Sequence, residues 1–385
     1  MRRLFRLGLA LLLVAIVQLA VRAADPIDRL RTRITQAMTE ARGRMGVAIK
    51  HLESGTELAV NGDEKFPMAS TFKLPVLVTL YDKVKKGQLK WDETVDIDVH
   101  DQHLGSGDLS YLYDVPGVKL SLHNVANLMM MISDNSGADI CLTRAGVDNV
   151  NRLMASLGAG DLHVDRPTQE LILDYQGRDT ARLKGMTLAE IQKSAPPPAS
   201  DQTTAPDGNA IEARFKRDDR FAADPRDQAT PKAFVTLLEK MWRGEVVDKA
   251  SSEAMLETMK RCRTGAGRIK GLLPPNTVVA HKTGTIGGVV DDVGIIYLPD
   301  DAGHVAIAVM SKQTRATDAE VERAIAQIAR YAYDYFLFTA REGANSAPAR
   351  ERSGARGPRE RPSRGRGPQR ADFARWGAGV GQSPT

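Results

Sequence analysis

Apolar residues recur at helical spacing near the start of the chain, where Ile27, Leu30, Ile34 and Met38 predict a helix over 26–43. Two runs of strand character follow, 45–52 and 56–60, joined by Glu53-Ser54-Gly55 as a hairpin turn. A helix beginning near Ser70 carries Leu74, Val76, Leu77 and Leu80. The stretch 121–131 opens on Ser121, a capping residue, and reads as a buried, Met-rich helix. Further helices are predicted over 137–145, 147–157 and 231–243. Three consecutive strands, 278–282, 292–298 and 305–311, then lead into a long amphipathic helix over 318–337. Strands that cluster at both ends, without regular strand–helix alternation, predict an α/β (α+β) fold. Its antiparallel sheet is supplied and flanked by both chain ends, and the middle of the chain forms an all-helical lobe.

Two segments break this pattern. Residues 176–224 contain Pro196-Pro197-Pro198 and a charged run, and predict an inserted loop with one short helix at 187–193. Residues 341–385 are rich in Arg, Gly, Pro and Ser and predict a disordered tail. At the other end, Arg2, Arg3 and Arg6 precede an apolar run too short to span a bilayer, closing on Val21-Arg22-Ala23. That is a secretion signal over 1–23, so the mature protein is expected to be periplasmic or secreted, with no membrane anchor once the signal is removed. The catalytic domain then spans 24–340.

Composition refines the picture only through its distribution. The 385-residue chain is 42% hydrophobic and carries a net charge of +5. The signal holds +4 and the tail +6, which leaves −5 on the body between them. The basic character thus belongs to the ends, and a specific nucleic-acid partner is not expected. Two cysteines, Cys141 and Cys262, cannot staple a chain this long, and a disulfide between them is permitted but not required. His100, Asp101 and His103 lack zinc-type spacing and read as a polar surface loop. With no phosphate-binding loop or dinucleotide fingerprint either, no metal or cofactor is expected.

Three short motifs carry the candidate chemistry. Ser70-Thr71-Phe72-Lys73 sets a hydroxyl and an amine on one helical face, where a neutral lysine can deprotonate a serine. Read alone, it is also what a capped helix with an exposed lysine shows. Ser133-Asp134-Asn135 offers a hydroxyl to relay a proton and an amide to hold a substrate carbonyl, with Asp134 tying the turn. Lys282-Thr283-Gly284-Thr285 ends an apolar strand with a cation and two hydroxyls for a carboxylate, while Gly284 leaves room for a ligand along the strand.

The three in this order form a known set, and the chain resembles the class A serine β-lactamases and, more broadly, the penicillin-recognising serine enzymes over about residues 26–340. Thr264 to Ile269 resembles the segment whose arginine, here Arg268, helps hold the substrate carboxylate, and Leu104 to Gly107 resembles a loop bordering the site. The resemblance implies that Ser70 is acylated with help from Lys73. It implies too that Ser133 passes a proton to the departing ring nitrogen and Asn135 holds the acylamide. Lys282, Thr283, Thr285 and Arg268 would receive the carboxylate, and the backbone N–H groups of Ser70 and Thr285 would form the oxyanion hole. A monomer acting on β-lactams or peptidoglycan-like peptides is the implied outcome.

One element departs from the family. A family glutamate activates the water that releases the acyl group, and the equivalent stretch here is Asp165 to Ile172. With Arg166 and Asp227 as the clamp at the loop base, Thr168 falls on the glutamate position and Ile172 on the water-binding asparagine position. Glu170 is the expected substitute base, with Asp174 as another. Slow deacylation, as in a penicillin-binding peptidase, is the alternative, and a non-catalytic envelope-binding relative is a further one.

Overall fold

The computed structural model describes residues 25–112, 117–194 and 208–346. Residues 1–23, where a secretion signal is expected, and nearly all of the Arg-rich tail lie outside these residues. The chain divides into two units, Met1–Arg341 and Glu342–Thr385, and every element below belongs to the first or runs out of it at Arg341.

The centre is a five-stranded antiparallel sheet in the order β2-β1-β9-β8-β7, with β1 Arg44–His51, β2 Glu57–Val60, β7 Val279–Ile286, β8 Val289–Tyr297 and β9 His304–Lys312. Short pairs β3 Phe66–Pro67 with β6 Gln228–Ala229, and β4 Thr94–Asp96 with β5 Lys119–Ser121, complete the strands. Strands β1 and β9 carry unbroken apolar runs, Met45–Ile49 and Val305–Met310, because both of their faces are buried, whereas β7 and β8 bury His281, Lys282, Asp291 and Asp292 in mid-strand. In β9, Val305, Ile307 and Val309 enter one core, whereas Ala306, Ala308 and Met310 enter the other. The first core lies under the terminal helices Pro26–Met38 and Asp318–Ser346. The second joins the sheet to the helical lobe through Phe72, Leu77, Met129, Met130 and Phe234.

The sheet and lobe agree with the sequence reading, and three details differ. The first helix ends at Met38 and tightens into a 3-10 turn over Thr39–Ala41, with Arg42 left-handed at φ 48°. A helix at Lys249–Lys260, capped by Asp248, has no counterpart in the sequence reading. The segment 176–224 is also not a loop: its described residues hold helices Thr180–Leu183, Leu188–Lys193 and Gly208–Ala223. The last of these buries Phe221 against Ala69, Leu171 and Val289, so a charged sequence still forms a docked helix.

Candidate active site

Ser70 sits in a 3-10 turn, Ala69–Phe72, that runs directly into the helix Lys73–Lys85. Ala69 takes φ 42°, a left-handed conformation unfavourable for a residue with a Cβ, so the turn before the serine is held by its surroundings. Thr71 helps through a 2.6 Å bond from its hydroxyl to the Met68 carbonyl. The strand β7 lies against this turn: a Cβ on Gly284 would come 2.7 Å from the Met68 oxygen and 3.2 Å from the Ser70 nitrogen. The sequence reading gave Gly284 to a ligand. Its missing side chain instead lets the strand approach the Ser70 turn.

The three motifs converge. Lys73 is fully buried, and its Nζ donates to the Ser133 carbonyl at 2.7 Å, the Asn135 Oδ1 at 2.7 Å and the Ser133 Oγ at 3.2 Å. Burial and the neighbouring Lys282 charge hold this amine well below the ordinary lysine range. Lys282 Nζ donates to the same Ser133 Oγ at 3.0 Å, and burial brings it down to about 8. Two amine donors thus occupy the Ser133 lone pairs and leave its own O–H free to donate. Ser133 itself takes φ 60°, so this turn is strained as well.

Asn135 opens the helix Asn135–Ala145, capped by Asp134, whose Oδ1 accepts from the Gly137 N–H at 2.7 Å. Its Nδ2 donates to the Leu104 carbonyl at 2.7 Å, and the Ser106 hydroxyl donates to the Ser133 carbonyl at 2.8 Å. Gly105, at φ 93°, is the residue that lets this loop close, since a Cβ there would strike Asn135 Nδ2 at 2.4 Å. Arg268 is buried and fully engaged. It donates to the Gly284 and Asp291 carbonyls, holds the Thr285 hydroxyl at 2.7 Å, and pairs with Glu322 at 2.9 Å. It fixes Thr285 as well as adding charge. Ser70, Ser133, Asn135, Arg268, Thr283 and Thr285 all line one cavity of about 400 Å³.

The segment after Arg166 departs from the sequence expectation. Arg166 clamps its base through Asp227 at 2.7 Å and also binds Asp174 and Asp224. Asp174 is therefore a structural ion-pair partner, shared with Arg226 at 3.1 Å, and not a base at the serine. Glu170 is corrected too. On the helix Thr168–Tyr175 it turns away from Ser70 and lines a separate, larger cavity of about 710 Å³ with His103, Asp139 and Leu183. None of the residues described around the Ser70 cavity is acidic. What faces it from this helix is Thr168, whose buried Oγ1 has no hydrogen-bond partner, together with Leu171, Ile172 and Tyr175.

Asp139 was missed in the sequence. One helical turn beyond Asn135, it accepts from the Thr168 N–H at 2.6 Å and the Gln169 N–H at 3.0 Å. A carboxylate thereby caps the helix that carries Thr168. His103 Nδ1 stands 2.7 Å from Asp139 and is half-buried there, so it belongs to this support and not to a solvated loop. Among the described residues no cluster of metal-binding side chains occurs, and both cysteines are buried free thiols.

Residues 29–336 match the family described as Beta-lactamase enzyme family. Among curated relatives, β-lactamase VEB-1 of Pseudomonas aeruginosa is 25% identical over 80% of this chain and 91% of its own length. The extended-spectrum β-lactamase PER-1 of the same organism is 26% identical over 85% of this chain and 93% of its own. A solved β-lactamase from Chitinophaga pinensis superposes with a TM-score of 0.62 at 28% identity, over 80% of this chain and 98% of that one.

Proposed function

The chain belongs to the β-lactamase enzyme family, and we propose that it opens β-lactam rings by acylating Ser70 and releases the acyl group slowly. The observation that carries this reading is the Ser133 hydroxyl held between Lys73 and Lys282 inside the Ser70 cavity.

Neutral Lys73 is the base for attack. Its longest contact, 3.2 Å to Ser133 Oγ, is the one it relinquishes on losing a proton, which opens a lone pair toward the serine relay. The Ser70 hydroxyl attacks the ring carbonyl, and the Ser133 O–H donates to the departing nitrogen. Lys282, Thr283 and the Arg268-held Thr285 bind the substrate carboxylate, while Asn135 receives the acylamide group. Release then needs a water. Thr168 Oγ1 has a free hydrogen-bonding position for one, but a hydroxyl cannot take its proton at neutral pH, so Lys73 is again the available base. A pre-steady-state burst with nitrocefin tests this: one equivalent of rapid ring opening followed by a slower steady rate supports the proposal, and linear kinetics without an adduct opposes it.

We further infer that residues 1–23 are a secretion signal placing a monomeric enzyme in the periplasm or medium. The charged start, short apolar run and Val21-Arg22-Ala23 support this reading. No helix among the described residues is long and apolar enough to cross a membrane.

A further inference from the structure

The cavity that Glu170 lines holds about 710 Å³, against about 400 Å³ for the Ser70 cavity, and the two share no lining residue. That volume is ample for a small-molecule ligand. The helix Thr168–Tyr175 supplies Glu170 and, three positions on and so on the same face, Leu173. Leu183, Met186 and Ile191 come from the segment that follows, and they pack with Leu173 into one apolar cluster. This wall is set before any ligand arrives. Arg178 donates to the Ile191 carbonyl at 2.8 Å and to the Ser194 hydroxyl at 2.9 Å, and Thr187 and Glu190 cap the helix Leu188–Lys193 reciprocally. On the other side, the Gln169 side-chain oxygen accepts from the Leu104 N–H at 3.0 Å.

The charges on the lining are unequal in sign and in how they are satisfied. Asp96, Asp101, Asp139 and Glu170 stand against Arg144 and Lys184. Asp139 accepts its two backbone N–H groups, and Asp101 accepts from the Asp98 N–H at 3.0 Å. Asp96 pairs with Lys119 at 2.8 Å, and Arg144 pairs with Glu93 at 2.8 Å. Among the described residues, Glu170 and Lys184 have neither a hydrogen-bond nor an ion-pair partner for their side chains. Lys184 is exposed, so water solvates its ammonium. Glu170 is half-buried beside an apolar wall, where a carboxylate without a partner is costly.

We propose that this cavity binds a primary ammonium carried on an apolar, ring-sized body, with Glu170 as its counter-ion. The ammonium donates to the Glu170 carboxylate, a charge-assisted bond strengthened by the apolar surroundings. The body lies against Leu173, Leu183, Met186 and Ile191. The selection is opposite in sign to that of the Ser70 cavity, where Arg268 and Lys282 are assigned to a carboxylate. An anionic ligand is therefore repelled from the cavity that an amine enters.

Calorimetric titration of the full chain at pH 7 with phenylbutylamine, phenylbutanol and phenylbutyrate tests this. The three probes share one body and differ only in the charge of the head group. The amine should bind one-to-one and at least about tenfold tighter than the alcohol, with the acid weakest. Glu170→Gln should bring the amine down to the level of the alcohol and leave the alcohol unchanged, which also shows that the variant is folded. Lys184→Gln should leave amine affinity within about twofold. Met186→Trp fills the cavity and should weaken amine and alcohol alike. No heat of amine binding up to about 10 mM, or an acid that binds as tightly as the amine, overturns the proposal. So does an amine preference that survives Glu170→Gln, or full affinity in a Met186→Trp variant that melts as the wild type does. Binding is read without any substrate, so inert Ser70 chemistry would leave the result standing.

Discussion

Lys282 Nζ donates to Ser133 Oγ at 3.0 Å, joining residues 149 positions apart. With Lys73 on the other side at 3.2 Å, this fixes the hydroxyl as a donor to a leaving nitrogen. Ser133→Ala removes that donor and leaves both lysines in place. We expect acylation to fall by about 10²–10⁴-fold with a smaller change in KM, measured by stopped-flow nitrocefin opening.

Burial holds Lys282 near 8, so its ammonium is lost as pH rises through that value. The protonated form is the one that binds a carboxylate and supports Ser133, and it dominates below the pKa. kcat/KM should therefore fall above pH 8. In Lys282→Arg the guanidinium stays protonated, and the alkaline fall should move beyond the measurable range whatever the absolute rate. An unchanged alkaline limb would assign it to another group.

Thr168 and Glu170 should differ in their response to substitution. Thr168→Glu places a carboxylate in a cavity whose described lining has none, and deacylation should accelerate by about 10²-fold or more, read as loss of the burst. Glu170→Gln alters the neighbouring cavity, and both half-reactions should stay within about twofold.

Gly284 is a close-approach position, not a conformational one. Gly284→Ala would drive a methyl group to 2.7 Å from the Met68 carbonyl. Acylation should collapse while thermal unfolding shifts little, because the sheet can yield at its edge strand. Equal losses in both would mean that the strand–turn contact is general packing.

Asp139 supports the Thr168 helix by accepting two backbone N–H groups. Asp139→Ala leaves the buried Thr168 N–H and the part-buried Gln169 N–H unpaired, at a cost of about 1–3 kcal/mol in unfolding free energy for the buried one. Asp139→Asn keeps one acceptor and should recover part of this loss in thermal melts.

Much of this was legible in the sequence where local pattern and tertiary outcome agree. Strands β1 and β9 declared themselves because burial on both faces makes Met45–Ile49 and Val305–Met310 continuously apolar, and Ser70, Lys73, Ser133 and Lys282 stood in a recognisable order. The orientation of Glu170 was not legible: two positions along a helix rotate a side chain by more than half a turn, from the Ser70 cavity to the one behind it. Asp139 looked like one acid among many, because its partners are backbone N–H groups far away in sequence. The helix Gly208–Ala223 was concealed by its charge, since only residues such as Phe221 and Asp218 face inward.

The most direct test of the account is intact-protein and peptide mass spectrometry during nitrocefin turnover. The account predicts a covalent adduct on the Ser70 peptide that accumulates under saturating substrate and decays as ring-opened product continues to form. Ring opening with no adduct on Ser70, or with the adduct on another residue, would contradict it.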